Sequence, residues 1–319
     1  MAVAKNVVRR ALLYVPGSSQ KMLDKTRGLN ADCVAYDLED SVTPGRKAEA
    51  RSNIRRFLEQ PRISGVKECA VRINAVGSSY AADDILEVAN APNLDTIVIP
   101  KVNSGADLQW ATEFINHNRT YTGLGATSPH RVKILALIES AKALSSLSEI
   151  CSTATSQLDG LIFAAEDFAL DLSLTRTPSL TEFLYARSAI ATACRAHNLS
   201  STIDLVCTSY KGEEGIKTME EECLGGKSLG FNGKQCIHPS QVPIAQKAFA
   251  PSEDEATWAV RITIADAKAD KQGRGAWTLD SKMIDAPVVG KAKRLVSRAE
   301  ACGIDVNALR ERWKDQEPE

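Results

Sequence analysis

The sequence lacks a surplus of either charge: 39 Lys and Arg stand against 40 Asp and Glu, a formal net charge of -1. A nucleic-acid footprint needs a basic excess, so no nucleic-acid partner is expected. No apolar run approaches the ~20 residues of a membrane helix, so no membrane partner is expected. No signal-peptide core follows the start. The eight cysteines include no C-x-x-C pair, which argues against a zinc site or a thioredoxin-type motif. No G-x-G-x-x-G follows an early strand, so a dinucleotide-binding fold lacks its fingerprint. The four histidines do not cluster, and there is no low-complexity tract. What is present is an ordinary globular composition, 44% hydrophobic and 25% charged over 319 residues. Its cysteines read as buried reduced thiols of an intracellular protein.

Short apolar runs alternate with longer amphipathic stretches. The runs are Ala11–Val15, Cys33–Leu38, Cys69–Ile73, Thr96–Ile99, Lys133–Ile138, Gly160–Ala164, Ser201–Val206 and Ser228–Phe231. They are continuous rather than alternating, as strands covered on both faces are. Between them lie helical patterns such as Gln20–Leu29, Lys47–Gln60, Gly105–His117, Ala141–Thr155 and Gly215–Leu224. Strand then helix, eight times over, predicts an α/β fold, a (β/α)₈ TIM barrel, with an open doubly wound sheet as the rival. The pattern changes after Phe249. Residues 1–250 are read as the catalytic barrel and 251–319 as a C-terminal extension of helix, hairpin and helix. In it Ser252 caps the first helix, the last helix ends at Cys302-Gly303, and the tail KDQEPE is expected to fray.

In a barrel the active site is built at the C-terminal ends of the strands. The first run leads to Pro16, Gly17, Ser18 and Lys21, a turn that suits a phosphate. The second ends in Asp37, Glu39 and Asp40, the third in Arg72, the fourth in Lys101, the fifth in Glu139, the sixth in Glu166 and Asp167, and the seventh carries Asp204. Hard carboxylates without a histidine or cysteine cluster point to Mg²⁺ rather than zinc. Glu139 and Asp167 are the chosen ligands, because they end neighbouring strands; helix capping is the plainer reading of such acids. Glu166 is an equal alternative to Asp167, since strand phase is not fixed by sequence. Arg72 interrupts an apolar strand and calls for an anion, either a substrate carboxylate or a structural partner among Asp37, Glu39 and Asp40. Lys101 has the same acids within its choice. His238 reads as a structural histidine, His117, His130 and His197 as surface or loop residues, and Glu220–Glu222 as a solvated helix face.

Seven motifs in order, LLYVPGSSQKML, AYDLEDSV, VRIN, IPKV, FAAEDF, GFNGKQCIHPSQV and SKMIDAPVV, resemble the citrate lyase β-subunit-like enzymes of the HpcH/HpaI aldolase and CitE-like superfamily. The resemblance spans about Arg9 to Ala301. It implies a barrel that binds Mg²⁺ through Glu139 and Asp167, and it gives Arg72 the carboxylate of a keto acid. It further implies that Asp285, in the M-I-D-x-P motif, reaches a neighbouring subunit's site in a homotrimer or hexamer. Glu39, Asp37, Asp40, Lys101 and Glu166 then support the metal and Arg72, and coenzyme A enters as part of the substrate, its phosphates near Pro16–Lys21. Two places depart from the family pattern: Ala165 stands where relatives carry glycine, and Ser209-Tyr210-Lys211-Gly212 replaces an aspartate and an Arg-Asp pair.

The activity so implied is a reversible retro-Claisen cleavage of an acyl-CoA thioester to acetyl-CoA and a 2-keto acid, with citramalyl-CoA and pyruvate as first choice. Malyl-CoA cleavage, a citrate lyase β subunit acting on an acyl-carrier thioester, and a non-catalytic CoA-binding protein are the alternatives. The basic start MAVAKNVVRR reads equally as a transit-peptide stub or a plain arm, leaving mitochondrial matrix and cytoplasm both open.

Overall fold

The structure, a computed structural model, describes residues 8–62, 64–121, 131–153 and 157–319. His130 and the first seven residues lie outside them. The chain divides into two units, Arg9–Phe249 and, in the main, Ala250–Glu319. In the first, eight parallel strands close into a barrel in sequence order: β1 Ala11–Pro16, β2 Ala31–Asp37, β3 Val66–Arg72, β4 Thr96–Ile99, β5 Lys133–Ile138, β6 Leu158–Phe163, β7 Ser201–Asp204 and β8 Gly233–Cys236. β8 closes the ring by pairing with β1.

The continuous apolar strands are explained by two separate apolar layers. One face packs into the barrel axis through Leu12, Cys33, Ala35, Ala70, Val98, Leu135, Leu137, Ile162 and Ile203. The other meets the helices through a larger cluster that includes Leu13, Val34, Tyr36, Val71, Ile97, Ile134 and Phe163. Side chains alternate along a strand, so the inward rows continue to the mouth: Cys33, Ala35 to Asp37; Ala70 to Arg72; Leu135, Leu137 to Glu139. The opposite end is closed by ions. The fully buried Arg9 guanidinium pairs with Glu68 at 2.5 Å and Asp159 at 2.5 Å and donates to Ser201 Oγ at 2.7 Å.

Two element assignments need correction. The eighth strand is Gly233–Cys236, and Ser228 and Leu229 end the helix Gly212–Leu229. The true strand carries Lys234 and Gln235, so it has no apolar run to betray it. The stretch Ala141–Thr153 is two short helices, Ala141–Ser145 and Leu147–Thr153.

The second unit has its own core, with Val260, Trp277, Leu279, Ile284, Ala292 and Val296 buried together. Helix Glu253–Lys271 opens with a complete capping box, Ser252 with Glu255. A hairpin of β9 Trp277–Leu279 and β10 Lys282–Ile284 leads into helix Ala286–Ala301. The tail does not fray. A further helix, Val306–Arg312, precedes it, and Glu319 exchanges backbone hydrogen bonds with Thr278 at 2.9 and 3.1 Å. Among the described residues no helix is long and apolar enough to cross a membrane.

Candidate active site

The strand register sets Pro16 beside Asp37 and Asp37 beside Arg72. Arg72 Nε and Nη2 donate to the two oxygens of Asp37 at 2.7 and 2.8 Å, a bidentate grip. Its Nη1 faces Glu39 at 2.9 Å and Asp40 at 3.5 Å. Lys101 pairs with Glu39 as well. Burial would raise the Asp37 carboxyl, but the Arg72 bonds outweigh it and hold Asp37 below the usual carboxylate range. Burial dominates at Glu39 and raises it despite Arg72 and Lys101. The structural partners proposed for Arg72 are therefore all in place, and Arg72 itself lines the larger cavity described below. The guanidinium lies 4.6 Å from the centroid of the Tyr14 ring.

Lys47, which the sequence did not single out, supports this loop. Its buried ammonium donates to the carbonyls of Leu38 and Glu39 and to Asn74 Oδ1, each at 2.7 Å. That uses all three donors of an ammonium. Gly17 lies close to the same strand end: a Cβ there would sit 2.9 Å from Asp37 O and 2.5 Å from Ile54 Cδ1. The Pro16–Lys21 turn is internally bonded, with Ser19 capping Met22 N and Ser18 O accepting from Arg46. Lys21 is exposed.

Glu139 and Asp167 line one cavity of about 290 Å³ together with Lys101, Asn103 and Ser140. Glu139 Oε1 accepts from Lys101 N at 3.1 Å, and Lys101 reaches that position with a left-handed φ of +53°. Burial, then the charges of Asp167 and Glu39, push the Glu139 carboxyl up to about 7. Glu166 does not line this cavity and pairs with Arg176 at 2.5 Å. Arg176 in turn meets Glu222, which pairs with the fully buried Lys234 at 2.9 Å. Glu222 is thus a buried partner and not part of a solvated face; the run around it hides that, because its counter-charges come from β8 and from the loop holding Arg176. Asp204 is drawn away from the mouth by Arg187 at 2.6 Å.

A second cavity of about 440 Å³ joins Arg72, Asp37, Asp40, Glu166 and Asp167 to an apolar wall of Leu137, Ala164 and Val206. Tyr14 and Gln235 also line it; the Tyr14 hydroxyl donates to Gln235 Oε1 at 3.0 Å. Neither was picked out beforehand; a glutamine inside a strand is the signal that was available for the second. Pro16 lines the same cavity. His238 bonds Ser240 and stacks on Tyr210, in keeping with a structural histidine.

The donor set around Glu139 and Asp167 is oxygen only, and among the described residues no three metal-ligating side chains gather. Two carboxylates fit Mg²⁺, which keeps several waters and takes few protein ligands. They also fit it electrostatically: a carboxyl pushed to about 7 by burial first, and then by the charges of Asp167 and Glu39, is relieved by a divalent cation.

In the separate C-terminal unit, Asp285 caps helix Ala286–Ala301 and accepts from Val288 N at 3.2 Å. Met283, two residues earlier, is exposed.

The sequence profile of the HpcH/HpaI aldolase/citrate lyase family matches residues 10–239. The chain belongs to this family. Among curated proteins, the mitochondrial citramalyl-CoA lyase of Homo sapiens is 32% identical over 304 residues, covering 92% of this chain and 86% of that one. Citrate lyase subunit beta of Haemophilus influenzae is 34% identical over 294 residues, covering 92% and 98%. Among solved structures, CitE from Mycobacterium tuberculosis, in complex with magnesium, acetoacetate and coenzyme A, superposes with a TM-score of 0.70 at 26% identity, covering 92% of this chain and 99% of that one. This HpcH/HpaI-family chain is accordingly a lyase-type enzyme on a closed eight-stranded barrel.

Proposed function

We propose that the chain is a Mg²⁺-dependent carbon–carbon lyase that cleaves citramalyl-CoA reversibly to acetyl-CoA and pyruvate. The observation that carries the reading is the meeting of Glu139 and Asp167 in one cavity, with Asp167 also lining the cavity that holds Arg72. Relatives named for citramalyl-CoA cleavage, and a CitE structure holding magnesium and coenzyme A, support it.

Glu139 and Asp167 hold the ion. When bound, Mg²⁺ supplies Lewis-acid stabilisation of the negative charge that develops on the substrate hydroxyl oxygen. Arg72 orients the substrate carboxylate, which would take the place of Glu39 or Asp40 at Nη1, while Asp37 fixes the Nε and Nη2 edge of the guanidinium. Glu39, Asp40 and Lys101 tune the charge around that carboxylate. The hydroxyl proton passes to water, the oxygen's electron pair forms the carbonyl of pyruvate, the bond between the carbinol carbon and the methylene breaks, and that bond's electron pair moves onto the acetyl thioester as an enolate. Asp285 of the partner subunit in a homotrimer or hexamer returns a proton to that carbon. The apolar wall of Leu137, Ala164 and Val206 gives the methyl of pyruvate a dry neighbour. The CoA phosphates lie toward Pro16, Gly17, Ser18 and Lys21. Glu166 holds Arg176 and so sets the direction of the helix start that carries Asp167.

The test is a coupled assay of the purified protein with Mg²⁺ and either citramalyl-CoA or malyl-CoA. Pyruvate release from citramalyl-CoA, abolished by EDTA, is expected. Faster glyoxylate release from malyl-CoA would replace the substrate, and no turnover of either would reject the stand-alone lyase.

A further inference from the structure

Two polar side chains in the larger cavity, Tyr14 and Gln235, take no part in the chemistry above. Both point into the barrel: Gln235 stands in register with Leu12 on β1, and Tyr14 is two residues further along the same face. The residues in register with Tyr14 on β2 and β3 are Ala35 and Ala70, both small, and the next row up is Pro16, Asp37 and Arg72. That layer therefore has room for one large ring under the Arg72 guanidinium.

Gln235 is buried, and its amide is fully committed. Its Nε2 donates to Phe163 O at 2.8 Å and to Asp204 O at 3.1 Å, the carbonyls at the ends of β6 and β7. That uses both amide hydrogens, and turning the amide over would set Oε1 against two carbonyl oxygens. Oε1 is thereby left as the acceptor for the Tyr14 hydroxyl, at 3.0 Å. Burial raises the Tyr14 hydroxyl above the ordinary tyrosine range, despite Arg72, so it keeps the proton it donates. Strands β6, β7 and β8 together hold one phenol by its oxygen.

The other end of that chain is Arg72. Its guanidinium carbon lies over the Tyr14 ring, 4.6 Å from the centroid. Asp37 holds the same guanidinium through Nε and Nη2. One support acts along the edge and the other across the face, so tilt as well as rotation is restrained. Nη1 is the exchangeable corner: it faces Glu39 and the exposed Asp40. A carboxylate arriving there must displace an internal acid, and a guanidinium free to tilt would follow that acid instead.

We propose that Tyr14 and Gln235 are positioning residues for the keto-acid carboxylate: Gln235 fixes the Tyr14 ring, and the ring holds the face of the Arg72 guanidinium while that carboxylate replaces Glu39 or Asp40 at Nη1. This rests on the reading of Arg72 as the holder of that carboxylate. The two residues act in series. The hydroxyl matters to the substrate through the ring it steadies, and the amide matters through the hydroxyl.

The experiment measures carboxylate binding apart from turnover. Pyruvate is titrated calorimetrically, with saturating Mg²⁺, into wild type, Tyr14→Leu, Tyr14→Phe, Gln235→Met and Tyr14→Phe combined with Gln235→Met, each checked by thermal melting. Tyr14→Leu, which loses the ring face, is expected to bind pyruvate about tenfold more weakly. Tyr14→Phe and Gln235→Met should each lose about threefold, and the double variant no more than either, because both cut the same link. Direct titration of Mg²⁺ should give the wild-type affinity in every variant. In the condensation direction KM for pyruvate should rise by the same factors, with kcat held within about twofold. Unaltered pyruvate affinity in Tyr14→Leu, losses that add in the double variant, pyruvate and Mg²⁺ affinities that fall together, or a fall in kcat with KM unaltered would overturn the positioning role. A wild type that binds no pyruvate would overturn it too. Ring-dependent pyruvate binding in a protein that cleaves no acyl-CoA supports the positioning role and defeats the lyase reading instead.

Discussion

Arg72 and Asp37 face each other on adjacent strands and are joined by two parallel hydrogen bonds of 2.7 and 2.8 Å. Asp37 is fully buried, and Arg72 is nearly so. An arginine held this way has its Nε and Nη2 edge committed to Asp37, while its Nη1 faces Glu39 and Asp40.

Asp37→Asn therefore loosens both stability and recognition. Removing one charge of a buried pair is expected to cost about 3 kcal/mol, read by urea unfolding, together with a raised KM for the keto acid in the condensation direction. The Asp37 carboxyl lies below its unfolded value. Its contribution is thus present above that unfolded value and is lost as pH falls through the folded one. The acid limb of the stability–pH profile should therefore flatten in Asp37→Asn relative to wild type, read by melting across pH.

Magnesium affinity should depend on pH with a break near 7. Burial first, and then Asp167, hold the Glu139 carboxyl at about 7, above its unfolded value of 4.5. The ion needs the carboxylate, so its association constant is expected to rise up to about tenfold per pH unit below the break and level off above it. In the metal-free protein the sign is opposite to that of Asp37: stability is full below the unfolded value and declines as pH rises to about 7. Calorimetric titration of Mg²⁺ across pH, and melting without it, read the two effects; a flat Mg²⁺ profile counts against Glu139 as a ligand.

Neighbouring acids should behave differently. Asp167→Asn is expected to weaken Mg²⁺ binding by about a hundredfold or more, whereas Glu166→Gln should retain it within a few-fold, because Glu166 is turned toward Arg176. Equal losses in the two variants would mean that the helix start, not the individual carboxylate, controls the metal.

Gly17→Ala tests close packing under the mouth. Its methyl would meet Ile54 at 2.5 Å and the Asp37 carbonyl at 2.9 Å. A loss of about 1–3 kcal/mol is expected from overpacking, with a fall in activity as the Asp37 strand end shifts. Chemical denaturation and the lyase assay give the two numbers.

Complementation tests the proposed role of Asp285. Separately inactive Arg72→Ala and Asp285→Asn proteins, mixed under subunit exchange, should regain part of the activity, since some sites would then combine an intact Arg72 with an intact Asp285. No recovery, with exchange verified by mass, would place Asp285 in its own subunit or outside the chemistry.

The barrel and its acid-bearing rim were legible because parallel strands covered on both faces read as continuous apolar runs, and polar residues at their ends stand out. The eighth strand was not legible. Its interior is Lys234 and Gln235, stabilised by partners distant in sequence, Glu222 and Tyr14. The choice between Glu166 and Asp167 failed on the residues alone for a related reason: both follow β6 in the first turn of a helix, where strand alternation no longer applies. Arg176, the partner of Glu166, lies ten residues on. Lys47 was missed because it acts on backbone carbonyls, which sequence does not display.

Arg9 has a practical consequence for anyone shortening the chain. It lies just ahead of the first strand, where truncations are commonly placed. Yet it is the counter-charge for Glu68 and Asp159 at the closed end of the barrel. A chain begun at Ala11 would leave these carboxylates without that guanidinium, so the minimal folding unit starts before its first strand. Loops at the open end, by contrast, can be exchanged without touching that anchor.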